Sequence, residues 1–91
     1  MSDNIMHAPH GTNLVVEIDD GTIYVGRFDE SNGFEVLMHD ADVFDPAGGG
    51  DAEHWVRETA TYGVDVKHRD IRFSVRGIKS WKALGEVEKL A

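Results

Sequence analysis

The segment LVVEIDDGTIYVGRF, residues 14–28, consists of two runs of β-forming residues on either side of Asp19-Asp20-Gly21-Thr22. Both runs are rich in Val and Ile, which favour strands. An Asp-Gly pair between two such runs indicates a tight hairpin, and a primed turn would place both Asp20 and Gly21 at positive φ. The folded part of the chain therefore begins with two antiparallel strands.

Three more strands are expected downstream. Asn32-Gly33 forms a turn, and residues 34–39 after it are a third strand. Residues 69–75 alternate cleanly, with Ile71, Phe73 and Val75 on one face, and a short last strand follows the break at Gly77. These elements predict an all-β protein with a five-stranded, strongly bent antiparallel sheet that closes into a small barrel.

The remaining segments lack such a pattern. Residues 1–13 are expected to form a flexible N-terminal arm, or at most a short helical turn, ahead of a barrel domain at residues 14–91. Asp45-Pro46 and three consecutive glycines at 48–50 predict a long loop at about 41–63. Residues 54–62 within it are rich in β formers and are interpreted as extended.

Composition excludes several functional classes. Nine Lys and Arg residues against 17 Asp and Glu residues give a formal charge of -8, which repels phosphate over any large surface, so no duplex DNA is expected as a partner. The chain has no cysteine, no apolar run long enough for a membrane helix and no export signal, so a cytoplasmic location away from membranes is expected. A nucleic-acid site would have to be a small local pocket.

Two segments resemble the Sm-like family. Residues 16–28 are similar to its opening motif, an apolar strand followed by an acid-Gly turn and a second glycine five positions on. Residues 73–77, FSVRG, are similar to its closing motif, an apolar strand that ends in Arg-Gly before a short last strand. The resemblance spans residues 14–84 and leaves residues 41–63 unmatched. It implies a five-stranded, SH3-like barrel that assembles into a closed homo-oligomeric ring of five to seven subunits through its edge strands.

The resemblance also implies a site for uridine-rich single-stranded RNA. The RNA-binding residues that it suggests are Arg76, Gly77, Phe34 and Asn32, where Arg76 meets a base or a phosphate and Phe34 offers a stacking face. The chain departs from the family pattern at Ser31 and Glu35, which lie where an Asp and an Asn are usual. Ile78 likewise takes the place of a polar residue, and Glu35 would repel phosphate.

Each of these residues also has a purely structural interpretation. Arg76 can pair with a nearby acid or with carbonyl groups of a neighbouring subunit, and Gly77 can serve as a bend between the last two strands. The aromatic residues Trp55, Tyr62 and Trp81 suit either base stacking or burial in a core or subunit interface, and burial is the preferred interpretation.

Catalysis and cofactor binding find no support in the sequence. There is no nucleophile elbow, no phosphate-binding glycine loop and no HExxH run, and the five histidines lack metal-ligand spacing. We therefore expect no enzyme activity, no cofactor and no metal. The expected function is a non-catalytic ring-forming scaffold that binds single-stranded RNA. The alternative is a structural or protein-interaction ring that has lost the RNA pocket.

Overall fold

A computed structural model describes residues 4–90 of the chain. They form five strands and one α-helix: β1 (Asn13–Ile18), β2 (Ile23–Ser31), β3 (Glu35–Phe44), α1 (Ala52–Tyr62), β4 (His68–Ser74) and β5 (Ile78–Ala83). Short 3₁₀ turns lie at Ile5–His7, Pro46–Gly48 and Leu84–Glu86. The expected all-β class and the short N-terminal helical turn are confirmed.

The strands form one antiparallel sheet in the order β4-β3-β2-β1-β5. In a flat sheet the two edge strands would lie about 19 Å apart. Three residues, 75–77, nevertheless join the end of β4 to the start of β5, and such a link spans at most about 14 Å. The sheet is therefore strongly bent, as expected. Among residues 4–90, β4 and β5 form no ladder with each other, so the sheet stays open rather than closing as a barrel.

Apolar side chains cover both faces of this sheet. The main core lies on one face and contains Leu14, Val16, Phe28, Val36, Met38, Ala41 and Phe73, with Ile5 and Ala8 of the N-terminal segment. The helix-side core lies on the other face and contains Val15, Ile23, Val25, Phe44, Leu84 and Val87, against which Trp55, Val56 and Ala60 of α1 pack. Because β1 is buried on both faces, the fold needs a helical layer over the sheet.

Helix α1 corrects one prediction. The extended conformation predicted for residues 54–62 is wrong, and the segment predicted as a long loop contains the end of β3 as well as this helix. Asp51 caps α1, since its Oδ1 accepts hydrogen bonds from the backbone N–H groups of Glu53 and His54 at 3.0 and 3.3 Å.

Among the aromatics, Trp55 and Trp81 are half-buried in packed clusters as expected, whereas Tyr62 is 77% exposed and does not belong to a core.

The first hairpin forms as predicted, but with a different turn. Ile18 and Thr22 close it through an N–H to carbonyl hydrogen bond of 2.8 Å, so the loop has three residues. Gly21 has φ of +94°, whereas Asp20 is not at positive φ. The Asp20 carboxylate accepts the Thr22 N–H at 2.9 Å instead. A three-residue loop with Gly in the left-handed region replaces the primed turn.

Two bulges bend the sheet where β2 meets β3. Val25 pairs with Asp42 and Arg27 with His39, so Gly26 faces both Asp40 and Ala41. Asp40 adopts φ of +49°, and the extra residue changes which face the later residues of β3 occupy. A second register shift leaves Asp29 of β2 without an opposite residue.

None of the helices that the described part of the chain forms is long and apolar enough to cross a membrane.

Candidate functional site

The turn between β2 and β3 carries two of the predicted site residues, Asn32 and Phe34. The side-chain oxygen of Asn32 accepts hydrogen bonds from the N–H groups of Phe34 and Glu35 at 2.8 and 2.9 Å. The hydroxyl of Ser31 accepts the Gly33 N–H at 3.3 Å. The Asn32 side chain therefore shapes the turn, as Asx residues commonly do. Phe34 is left 78% exposed at its tip.

The turn between β4 and β5 carries the other two, Arg76 and Gly77. Gly77 has φ of +80°, and its carbonyl accepts the Asp19 N–H at 2.7 Å. A Cβ atom placed on Gly77 would lie 3.3 Å from Cγ2 of Ile18. Both its conformation and its close approach to β1 thus require glycine here. The bend between the last two strands accounts for Gly77 without a ligand.

One backbone hydrogen bond joins these two turns. The N–H of Val75 donates to the carbonyl of Phe34 at 2.9 Å, directly beyond the last pair of the β3–β4 ladder, Glu35 with Ser74. All four predicted site residues therefore lie at one corner of the sheet. We call residues 32–34 and 75–77 together the turn corner.

Met6 adds a second exposed apolar side chain to the turn corner. A Cβ atom on Gly33 would lie 3.3 Å from the sulfur of Met6, which places the thioether against the β2–β3 turn. Met6 is 48% exposed and Phe34 more so. Sequence reasoning did not select Met6, because its position depends on how the N-terminal segment packs. The burial of Ile5 and Ala8 in the main core fixes that segment.

Arg76 is exposed on the same corner. Its backbone N–H donates to the Ser74 hydroxyl at 3.0 Å, while its guanidinium lies within ion-pair distance of no carboxylate of residues 4–90. The pairing with an intrachain acid that the structural interpretation offers is therefore not formed by the described residues. The turn corner therefore carries an exposed cation as well as the exposed apolar side chains of Phe34 and Met6.

Basic residues concentrate in the last two strands and the turn between them. Residues 67–82 contain one acid, Asp70, and six of the nine Lys and Arg residues: Lys67, Arg69, Arg72, Arg76, Lys79 and Lys82. The formal charge of -8 conceals this segment, because the acids lie mostly in the first two thirds of the chain. A count in windows along the sequence would have found it. Local positive charge of this kind favours contact with a polyanion.

A separate groove of about 510 Å³ lies between α1, β1 and the C-terminal segment. Val15, Ile23 and Val56 line its apolar part. Arg57 at its edge donates to the carbonyls of Glu88 and Lys89 at 3.2 and 3.1 Å. Those bonds hold the C-terminal segment against α1, and no residue of the turn corner lines the groove.

Within residues 4–90, no group of three or more His, Asp or Glu side chains is arranged to hold a metal ion. Comparison of the chain with protein-family models, with curated proteins and with solved structures gives no match.

Proposed function

We propose that this chain is a non-catalytic, Sm-like scaffold whose copies assemble into a closed ring through their edge strands, and whose turn corner binds single-stranded RNA. The observation that carries the RNA proposal is the hydrogen bond between Val75 and Phe34. It joins the turn that carries the exposed Phe34 to the turn that carries the exposed Arg76, one residue beyond Val75. Bases stack on such side chains without strict sequence preference.

The ring proposal is supported by the strand order. β4 and β5 each have a strand on one side only among residues 4–90. Edge strands present unpaired backbone groups that template further pairing. Pairing β4 of one copy with β5 of the next would satisfy those groups, and a closed ring would satisfy them in every copy.

A second candidate function is a ring that binds protein rather than RNA. Glu35 favours it, because this exposed carboxylate directly follows the β2–β3 turn and would repel a phosphate. The engagement of the Asn32 side chain within its own turn favours it as well, because the side-chain oxygen is already used by two N–H groups.

Fluorescence anisotropy with a labelled uridine-rich oligonucleotide tests the RNA proposal. We expect saturable binding at low salt that weakens steeply between roughly 50 and 200 mM. Phe34→Ala should weaken binding by about 1–3 kcal/mol, whereas Tyr62→Ala, an equally exposed aromatic on α1, should leave it unchanged. Absence of binding at low salt would reject the RNA proposal and leave the protein-interaction ring.

A matched arginine pair locates the site. Arg76→Ala should lower the salt slope by about one, as expected for loss of one phosphate contact. Arg69→Ala removes the same charge from the far end of β4 and should have a smaller effect. Equal effects would show diffuse attraction to the basic segment instead of binding at the turn corner. Light scattering gives the assembled mass, and a monomer would reject the ring.

A further inference from the structure

A network of side chains on three neighbouring strands centres on His39 of β3. Its Nδ1 lies 2.6 Å from Oδ1 of Asp70, the residue opposite it on β4. Its Nε2 lies 2.7 Å from Oδ2 of Asp29 on β2. Because of the second bulge, no residue of β3 pairs with Asp29 in the ladder, and this lets the Asp29 carboxylate reach the imidazole.

Both ring nitrogens of His39 therefore face carboxylate oxygens. A neutral imidazole has one N–H and one acceptor lone pair, so it can satisfy only one of the two carboxylates. The protonated ring donates to both. Only the charged form completes the network, and it then ties edge strand β4 to β2 across β3.

The surroundings support the charged form. The hydrogen bonds to Asp29 and then to Asp70 raise the pKa of His39 above its ordinary value of 6.5. The hydrogen bond between Asp29 and His39 also lowers the pKa of the Asp29 carboxyl below 3.8. Other charged or titratable groups lie around the network. In the N-terminal segment, Nδ1 of His10 lies 2.5 Å from the backbone carbonyl oxygen of Asp29. Arg27 forms an ion pair with Asp40 at 3.3 Å, and β4 carries His68 and Arg72.

We propose that His39 is a proton-operated clamp on edge strand β4, closed while the imidazole is charged and released when it loses its proton. The consequence for assembly rests on the proposed function, in which β4 pairs with β5 of a neighbouring copy. A loosened β4 is a poorer template for that pairing. Rising pH would then weaken the ring.

The sign follows from the direction of the shift. A histidine with a raised pKa in the folded state contributes stability that is fully present below its unfolded value of 6.5. That contribution is lost as the pH rises through the folded value. Acid opens the network from the other side, when the pH falls through the lowered pKa of Asp29.

Amide hydrogen exchange tests the clamp on the dilute, unassembled protein. Protection factors of the β4 amides should fall about two- to fivefold as the pH rises past the His39 pKa, the range expected for an ion pair that remains accessible to solvent. Amides of β1, an interior strand that is not part of the network, should keep their protection. In His39→Gln this extra loss should be absent, while the control His54→Gln, an exposed histidine on α1, should behave as wild type.

Two results would overturn the clamp: a His39 pKa at or below 6.5 by NMR titration of the ring, or the same pH course of β4 protection in His39→Gln as in wild type. Asp70→Asn is a second test of the clamp. It changes an exposed side chain, keeps its size and removes one of the two carboxylates, so it should lower the His39 pKa. Light scattering against pH is a separate measurement. A monomer at every pH would reject the ring, while the exchange data would still decide the clamp.

Discussion

Gly26→Ala tests the bulge that bends β2 against β3. A Cβ atom at position 26 would lie 2.7 Å from Cβ and 3.0 Å from Cα of Ala41, and 3.1 Å from the carbonyl oxygen of His39. Non-bonded carbons prefer about 3.5–4.0 Å. Because Ala41 is fully buried and has no longer side chain to swing away, the backbone itself must move. Overpacking of this kind costs about 1–3 kcal/mol.

Gly85→Ala is the matched control for this substitution. Gly85 is exposed, has no atom within 4 Å of an added Cβ and is not at positive φ. Replacing either glycine restricts the unfolded chain in the same way, so the difference between the two variants isolates the clash. Urea unfolding should find Gly26→Ala less stable than Gly85→Ala by about 1–3 kcal/mol, with a melting temperature lower by at least about 4 °C. Equal stabilities would refute the tight packing at this bulge.

Further predictions concern the last turn, the helix and assembly. Gly77→Ala should lose about 1–2 kcal/mol in urea unfolding because of its positive φ, and more than Gly11→Ala, which shares that conformation in open space; the reverse order would contradict close packing on Ile18. Asp51→Ala should cost about 0.5–2 kcal/mol by removing the cap of α1, whereas Asp51→Asn should retain most helical circular dichroism; equal losses would argue against capping. If copies assemble, light scattering should show that added salt strengthens the ring, because each copy has a formal net charge of -8 and salt screens the repulsion between copies. Dissociation by salt would point to attractive charge pairs instead.

The strands were predictable because their cause is local. Runs of β-forming residues mark β1 and β2, clean alternation marks β4, and turn residues bound all three in any context. The bulges at Asp29 and Asp40 were not predictable, because each depends on how β2 and β3 pair with each other and neither strand shows that pairing in its own sequence. The bulge at Asp40 also explains why the third strand was predicted to end at His39. Beyond Asp40 the apolar residues change face, and the alternation is broken in the sequence although the strand continues to Phe44.

The helix was missed although its signals are present. Ala52, Trp55, Val56, Thr59 and Ala60 follow helical spacing, with the capping residue Asp51 before them and Gly63 after them. Small and β-branched residues make this stripe weakly apolar, so strand propensity outweighed the period. Position 15 offered a second clue. An apolar Val between Leu14 and Val16 buries both faces of β1, which requires a layer on each side of the sheet.

The candidate site was predicted as a set of residues rather than as an arrangement. Turn chemistry and the resemblance selected Asn32, Phe34, Arg76 and Gly77, and the structure brings them to one corner. Asn32 and Gly77 each stabilise their own turn, so the proposed RNA contacts rest on the exposed side chains of Phe34 and Arg76. Met6 joins them through tertiary packing of the N-terminal segment, which no local pattern encodes.

The distribution of charge bears differently on the two parts of the proposed function. A net charge of -8 opposes contact between copies as much as contact with RNA. The segment 67–82 reverses the local sign along both edge strands, so the edges of neighbouring copies would meet with like charge as well. Salt screens both repulsions and favours assembly, but it also screens the attraction of Arg76 for phosphate. Opposite salt dependences of ring mass and RNA affinity would therefore attribute the two activities to different surfaces, the strand edges and the turn corner.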